Sequence, residues 1–273
     1  MDVEEHFQAS VFDGVLSRAE WDAQPSRVEA NTDQLLELLA SSGATATCFT
    51  LGWVAERFPD LIRRIAREGH ELGSHTWWHR KVSGSTAAEF REEVRRSKAI
   101  LEDLSGSAVR GFRAPSFSIT PGTEWAFDVL LEEGYTYDSS LFPVRRPGYG
   151  YPAAPPFPHP IDRPAGRLIE LPMATVTIAG LRVPAAGGAY LRHFPQAIIR
   201  RAFRAFERAG QPGMFYIHPW EIDPDQSRLP VGWLSRIRHY RNLGSTMARL
   251  RSLLAEFRFT SVRDWLARNP QWA

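Results

Sequence analysis

The chain has 273 residues, of which 43% are hydrophobic and 12% aromatic, so it can form one large domain with a substantial core. Its 33 basic and 31 acidic residues leave a formal charge of +2 at pH 7, without a long block of either sign. This balance implies neither a nucleic-acid partner nor an anionic membrane surface as a partner. No apolar run approaches the roughly 20 residues of a membrane helix, and no signal peptide is visible, so we expect a cytoplasmic protein.

The first half of the chain alternates between helix-like and strand-like segments. Apolar residues at helical spacing predict helices over 31–43, 53–68, 85–104 and 123–133. Short apolar runs predict strands over 45–50, 108–112 and 135–138. The single cysteine, Cys48, falls in the first of these strands, which favours a buried thiol over a nucleophile. Repeated βα units with short links indicate a parallel sheet or barrel.

Residues 143–165 interrupt this alternation. They contain eight prolines, which exclude a helix and allow only fragmentary strand. The segment is either a surface excursion or the rim of a pocket, and the sequence leaves both readings open. Beyond it we predict strands over 168–176, 181–183 and 214–218, and helices over 195–209 and 245–256.

Two histidines, His75 and His79, follow a short apolar segment and are four residues apart. A helix beginning at His75 would place both imidazoles on one face, an arrangement that suits zinc and similar ions. Alone, this spacing is weak evidence, because paired histidines near a helix start also occur as surface or capping residues. Polar residues at other strand ends strengthen it, since such ends meet at one rim of a parallel barrel. These residues are Asp2, Glu4, Arg113 and His218.

The ordered motifs resemble those of the NodB-type polysaccharide deacetylases, carbohydrate esterase family 4. Their residues are similar to those of the branch that accompanies exosortase-linked exopolysaccharide gene clusters in bacteria. The segments that carry this resemblance, besides the two histidines, are 2–7 (DVEEHF), 111–118 (GFRAPSFS), 187–190 (GGAY) and 215–221 (FYIHPWE). The resemblance covers nearly the whole chain. It implies a single domain over 1–273, with a family-specific portion at about 219–273.

The resemblance implies an α/β fold, a distorted (β/α) barrel of about seven parallel strands. It also implies a metal-dependent hydrolase that removes N-acetyl groups from an amino-sugar exopolysaccharide or its precursor. By this likeness Asp2 is the catalytic base, and Arg113 orients it. Glu4, His75 and His79 are the metal ligands.

Further residues are assigned in the same way. His218 matches the general acid, and Asp138 is our choice for the acidic residue that steadies it. We expect Trp77, Trp78 and Trp220 to form a wall that faces the pyranose rings of an N-acetylated glycan, although ordinary core positions explain tryptophans equally well. Zinc is the default ion for two imidazoles and one carboxylate, and Co²⁺, Ni²⁺ or Fe²⁺ would use the same ligands.

Two features depart from the family pattern. Glu4 stands where the family usually has aspartate, so its longer side chain could change the geometry or the metal preference. Only Met1 precedes Asp2, so we expect a frayed first strand and a poorly held base, and a chain extended upstream to be more stable and more active.

Two other functions stay open at this point. One is hydrolysis of a small amide or imide, as in allantoinase-like relatives. The other is a catalytically silent carbohydrate-binding protein, because the first strand is so short. The oligomeric state is unknown.

Overall fold

The computed structural model describes residues 1–146 and 148–272. The strands are β1 (Asp2–Val3), β2 (Thr47–Thr50), β3 (Glu71–Ser74), β4 (Gly111–Phe112), β5 (Tyr137–Asp138), β6 (His159–Arg163), β7 (Gly166–Glu170), β8 (Thr175–Ile178) and β9 (Leu181–Pro184). The α-helices are α1 (Val28–Ser41), α2 (Gly52–Arg57), α3 (Pro59–Arg67), α4 (Ala87–Ser105), α5 (Trp125–Glu132), α6 (Gly188–His193), α7 (Gln196–Arg208), α8 (Trp233–Tyr240), α9 (Thr246–Glu256) and α10 (Val262–Arg268).

One seven-stranded sheet with helices around it organises the chain, which confirms the predicted α/β class. Its strand order is β1-β2-β3-β4-β5-β7-β6, and all neighbouring pairs are parallel except β6 with β7. The expectation of parallel strands throughout is therefore wrong for β6. Only two residues, 164 and 165, join β6 to β7, and so short a link permits antiparallel pairing alone. Strands β8 and β9 form a separate hairpin.

The extended segment 214–218 lies between β1 and the residues that follow β7. We predicted a strand there, and the structure instead gives a single bridge between Met214 and Met173, just after β7. At the other end of the segment, the Ile217 carbonyl oxygen accepts a hydrogen bond of 3.0 Å from the Asp2 backbone nitrogen in β1. The segment thus connects the β7 side to β1, in keeping with a distorted barrel. The single-domain prediction itself stays a prediction.

Local sequence explains where several helices begin and end. The predicted helix over 53–68 is two helices, because Pro59 disfavours helical geometry at Phe58, whose φ and ψ are −125° and 59°. At α4, Thr86 is the N-cap and forms a reciprocal capping box with Glu89. Helix α1 begins at Val28, three residues before the predicted start at residue 31.

The core lies between the sheet and its helices. Cys48 is fully buried there, as predicted, and burial raises the pKa of its thiol to about 12. Such a thiol stays protonated at neutral pH and is a poor nucleophile. Among the helices of the described residues, none combines the length and the apolar character needed to cross a membrane.

Candidate active site

Polar side chains from distant parts of the chain meet at the carboxyl ends of the parallel strands. Asp2 lies in β1, Glu4 just after it, His75 directly after β3, and Arg113 directly after β4. His218 joins them from the extended segment 214–218, which contacts β1. Parallel barrels build their sites at this end of the strands, as the sequence analysis assumed.

Glu4, His75 and His79 form a compact cluster of metal-type ligands. One ligating atom from each residue lies within 4.8 Å of the others, and all three residues are buried. The Glu4 Oε2 atom is 2.9 Å from His79 Nε2 and 3.9 Å from His75 Nε2. His75 Nδ1 lies 2.7 Å from the Arg113 carbonyl oxygen and can donate to it, which leaves Nε2 as the free acceptor facing Glu4. Two imidazole nitrogens and one carboxylate oxygen are a donor set that fits a zinc-type ion.

The paired histidines do not lie on a helix, which corrects our expectation. Thr76 and His79 have positive φ angles of 66° and 51°, so the chain makes a tight turn after β3. Glu93, on the buried face of α4, stabilises this turn by accepting hydrogen bonds of 2.9 Å from the backbone nitrogens of Trp77 and Trp78. A left-handed, β-branched residue such as Thr76 is strained, and this bonding helps to hold it. The sequence analysis missed Glu93, although its position on the apolar side of α4 was a usable signal.

Asp2 is buried and firmly held, contrary to the expectation of a frayed first strand. Its backbone nitrogen donates to Ile217, and the Met1 amino group donates to the Thr47 carbonyl oxygen at 2.7 Å. Its Oδ1 accepts a hydrogen bond of 2.6 Å from Arg113 Nη1. Burial alone would raise the pKa of Asp2, but Arg113 and the nearby imidazoles outweigh it and hold the pKa well below its usual range. Asp2 is therefore ionised at neutral pH. The effect of an upstream extension stays a prediction.

Hydrogen bonds to Ser139, which follows β5, hold the Arg113 guanidinium in place. Its Nε donates to the Ser139 carbonyl oxygen at 3.0 Å, and its Nη2 donates to Ser139 Oγ at 2.9 Å. Ser139 Oγ in turn donates to the Leu171 carbonyl oxygen at 2.8 Å. Next to it, Ser140 Oγ accepts from the Ala114 backbone nitrogen at 2.8 Å. The guanidinium that orients Asp2 thus has few alternative positions.

Asp138 contacts Ser140 and Glu170 and is not the partner of His218, which corrects our assignment. Its Oδ1 accepts a hydrogen bond of 2.6 Å from Ser140 Oγ, and its close partner is the buried carboxyl group of Glu170. Burial and the charge of Asp138 raise the pKa of Glu170 well above its usual value. Burial thus favours the protonated form of both carboxyl groups, and that of Glu170 most strongly.

The residue that holds His218 is Glu221. His218 Nδ1 lies 2.9 Å from Glu221 Oε2, in position to donate to it, which leaves His218 Nε2 at 3.6 Å from Glu4 Oε1 and 3.8 Å from Asp2 Oδ2. Burial alone would lower the pKa of His218, but the charges of Glu4, Glu221 and Asp2 raise it to about 9. The imidazole is therefore protonated at neutral pH.

Two further residues surround Glu221: Arg192, which the sequence analysis missed, and Gly188, which it named only as part of the 187–190 motif. Buried Arg192 donates from Nη2 to Glu221 Oε1 at 3.0 Å. A Cβ atom at Gly188 would lie only 1.9 Å from Glu221 Oε2, so glycine is required there. The spacing of Glu221, three residues after His218, was the signal that could have identified it.

The three tryptophans have different environments. Trp77 is in the hydrophobic core, 4% exposed and stacked under the Arg96 guanidinium, so it is not part of a sugar-facing wall. Trp220 is also buried; its ring stacks on His218, and its Nε1 donates to Glu4 Oε1 at 3.1 Å. Trp220 therefore helps to hold Glu4 in position. Trp78 is half-buried, and its contact with a glycan stays a prediction.

The fold and the site together define an α/β barrel protein with a carboxylate and histidine site at the carboxyl ends of its strands. Comparison with known families then makes the assignment specific. Residues 19–136 match the polysaccharide deacetylase family, and residues 139–267 match a domain of unknown function, DUF3473. The first half of the chain thus carries a polysaccharide deacetylase domain of the NodB type, and the second half carries DUF3473.

Characterised relatives are similar to part of the chain. A peptidoglycan-N-acetylglucosamine deacetylase from Bacillus cereus is 37% identical over 120 residues, which is 40% of this chain and 44% of the relative. A chitooligosaccharide deacetylase from Bradyrhizobium is 36% identical over 100 residues, which is 36% of this chain and 43% of the relative. The matches therefore span less than half the length of either relative.

Solved structures support the fold. A structure from Mycobacterium smegmatis that is classed with the polysaccharide deacetylases has a TM-score of 0.56 and 24% identity, covering 83% of this chain and 70% of its own. Puue allantoinase has a TM-score of 0.57 and 19% identity, covering 88% and 73%. At these identities the likeness concerns the fold alone.

Proposed function

We propose that this protein is a metal-dependent hydrolase that removes N-acetyl groups from an amino-sugar glycan. The observation that carries the proposal is the cluster of Glu4, His75 and His79, buried beside an ionised Asp2 and a protonated His218. Relatives named for the deacetylation of peptidoglycan and chitooligosaccharides support the choice of an N-acetylated substrate. Which glycan is used, and whether it is an exopolysaccharide or its precursor, stays a prediction, as does a cytoplasmic location.

Glu4, His75 and His79 would hold the ion, with zinc favoured by this donor set and Co²⁺, Ni²⁺ or Fe²⁺ able to use the same ligands. When bound, such an ion supplies Lewis acidity, which lowers the pKa of a coordinated water to about 7 and stabilises negative charge on oxygen. Trp220 keeps Glu4 in place by donating to its other oxygen.

Asp2 is the proposed general base. Its low pKa keeps it ionised, and Arg113 fixes one carboxylate oxygen, so Oδ2 remains available to accept a proton from the attacking water. Since Arg113 also accepts the His75 hydrogen bond through its carbonyl oxygen, one residue sets the positions of both the base and a ligand.

His218 is the proposed general acid. An amide is difficult to cleave because its nitrogen leaves poorly unless it is protonated. The raised pKa of His218, about 9, keeps a proton available, and Glu221 fixes the ring so that Nε2 points toward Asp2 and Glu4. General acid catalysis of this kind contributes roughly 10²–10⁴-fold to the rate.

The test is acetate release from chitooligosaccharides and peptidoglycan fragments, measured after chelator treatment and again after adding back Zn²⁺, Co²⁺, Ni²⁺ or Fe²⁺. We expect activity that the chelator abolishes and an added ion restores. The His79→Ala variant should be inactive, whereas His159→Ala, outside the site, should be unaffected.

Two outcomes would contradict the proposal. Hydrolysis of allantoin without acetate release would favour a small-amide hydrolase. Glycan binding without acetate release under any ion would favour a silent carbohydrate-binding protein.

A further inference from the structure

Helix α8 presents an exposed apolar stripe that the proposed chemistry does not use. Trp233, Leu234 and Ile237 are 69%, 65% and 44% exposed. They are three of the six large hydrophobic side chains that are exposed among the described residues. The end of the helix is anchored, because His239 and Tyr240 are buried against Trp220 and Phe12. The stripe is therefore a surface feature of a helix that is otherwise firmly packed.

Unpaired positive charge surrounds the stripe. Arg228, Arg236, Arg238 and Arg241 are all exposed, and the only acidic residue between positions 224 and 241 is Asp225. Within the part of the chain that the structure describes, none of these four guanidinium groups has a carboxylate within 4.0 Å. Some other arginines at the surface are paired, as Arg200 and Arg204 are with Glu256. The four groups are thus available to an external anion.

We propose that this surface, Trp233, Leu234 and Ile237 with the four arginines, docks on an anionic membrane. Aliphatic and tryptophan side chains insert into the boundary of the acyl chains, while arginine pairs with lipid phosphates. Each basic residue near such a surface adds to the attraction. A glycan would account for Trp233, but it offers little to Leu234 and Ile237. The near-neutral charge of the whole chain conceals this local cluster.

The surface is directly linked to the site. The His239 ring stacks at 4.3 Å on Trp220, which donates to the ligand Glu4. Arg192 donates to the carbonyl oxygens of His239 and Arg241 while it pairs with Glu221. Docking through α8 would therefore hold the site close to the membrane surface. If the proposed function is correct, this position suits a glycan that is still attached to a lipid carrier.

The test is co-sedimentation of the full chain with vesicles of phosphatidylcholine, with and without phosphatidylglycerol. We expect binding that requires phosphatidylglycerol and weakens when salt rises from about 0.1 M to about 0.5 M. Replacing Trp233, Leu234 and Ile237 together by serine should reduce the partition coefficient at least about tenfold. Arg236→Gln with Arg238→Gln should reduce it about thirtyfold. Leu181→Ser, at an equally exposed site on the β8–β9 hairpin, is the matched control and should bind normally.

Melting temperature and acetate release from a soluble chitooligosaccharide should be unchanged in all these variants, since none of them touches the site. Vesicle binding that the serine substitutions leave intact, or that needs no anionic lipid, would overturn the docking proposal. So would a dimer that these substitutions dissociate, without any vesicle binding, because a second copy would then cover the stripe. Vesicle binding without acetate release would refute the proposed function alone, and acetate release without vesicle binding would refute docking alone.

Discussion

Removing Arg113 should destabilise the protein through the charge that it leaves behind. Arg113 and Asp2 are 1% and 2% exposed, and their ion pair is 2.6 Å long. Without Arg113 the buried Asp2 carboxylate would lose its hydrogen-bonded partner and keep only His218, whose Nε2 lies 3.8 Å from Asp2 Oδ2. Breaking such a pair on one side costs about 3–5 kcal/mol, whereas replacing both partners by neutral groups of similar shape costs far less. Arg113→Met should therefore lose about 3–5 kcal/mol of unfolding free energy.

A double-mutant cycle with Asp2→Asn measures this effect. We expect Arg113→Met with Asp2→Asn to be more stable than the sum of the single losses by at least about 2 kcal/mol, since two neutral side chains replace one unpaired charge. The assay is urea unfolding at pH 7 in the presence of chelator, so that metal binding does not contribute. Additivity of the two single changes within about 0.5 kcal/mol would refute the reasoning. Arg113→Lys is the matched control, because it keeps the charge and loses only the hydrogen bonds to Ser139.

Three other predictions concern Glu170, Trp77 and Cys48. Because burial and the charge of Asp138 raise the pKa of Glu170, the folded state binds a proton that the unfolded state loses above about pH 4.5. The unfolding free energy of the wild type should therefore fall as pH rises, by up to about 1.4 kcal/mol per pH unit, relative to that of Glu170→Gln. Glu37→Gln, at an exposed position, is the control. Wild-type and Glu170→Gln profiles that run parallel with pH would contradict the prediction. Trp77→Ala should cost about 3–5 kcal/mol of stability with an unchanged KM, and a raised KM at normal stability would instead restore the sugar-wall assignment. Cys48 should react with iodoacetamide only after unfolding, which mass spectrometry can follow.

The sequence by itself determined the parts of this protein that depend on local order along the chain. The alternation of apolar periods predicted the α/β class, the apolar period over 85–104 predicted α4, and the position of Cys48 in an apolar run predicted its burial. The motifs predicted that Glu4, His75 and His79 would lie together, because each follows or lies near the end of a strand and parallel strands bring such ends together.

Tertiary structure alone decided which side chains meet. The sequence suggested Asp138 as the partner of His218, but Asp138 lies against Glu170, and Glu221 reaches the imidazole. The spacing of the paired histidines suggested a helix, but hydrogen bonds from the backbone nitrogens of Trp77 and Trp78 to Glu93 of α4 stabilise a left-handed turn. Periodicity describes only how a segment repeats, whereas these contacts depend on how remote segments pack. The exposure of the apolar stripe on α8 has the same cause, since the packing of the whole chain decides which apolar face stays uncovered.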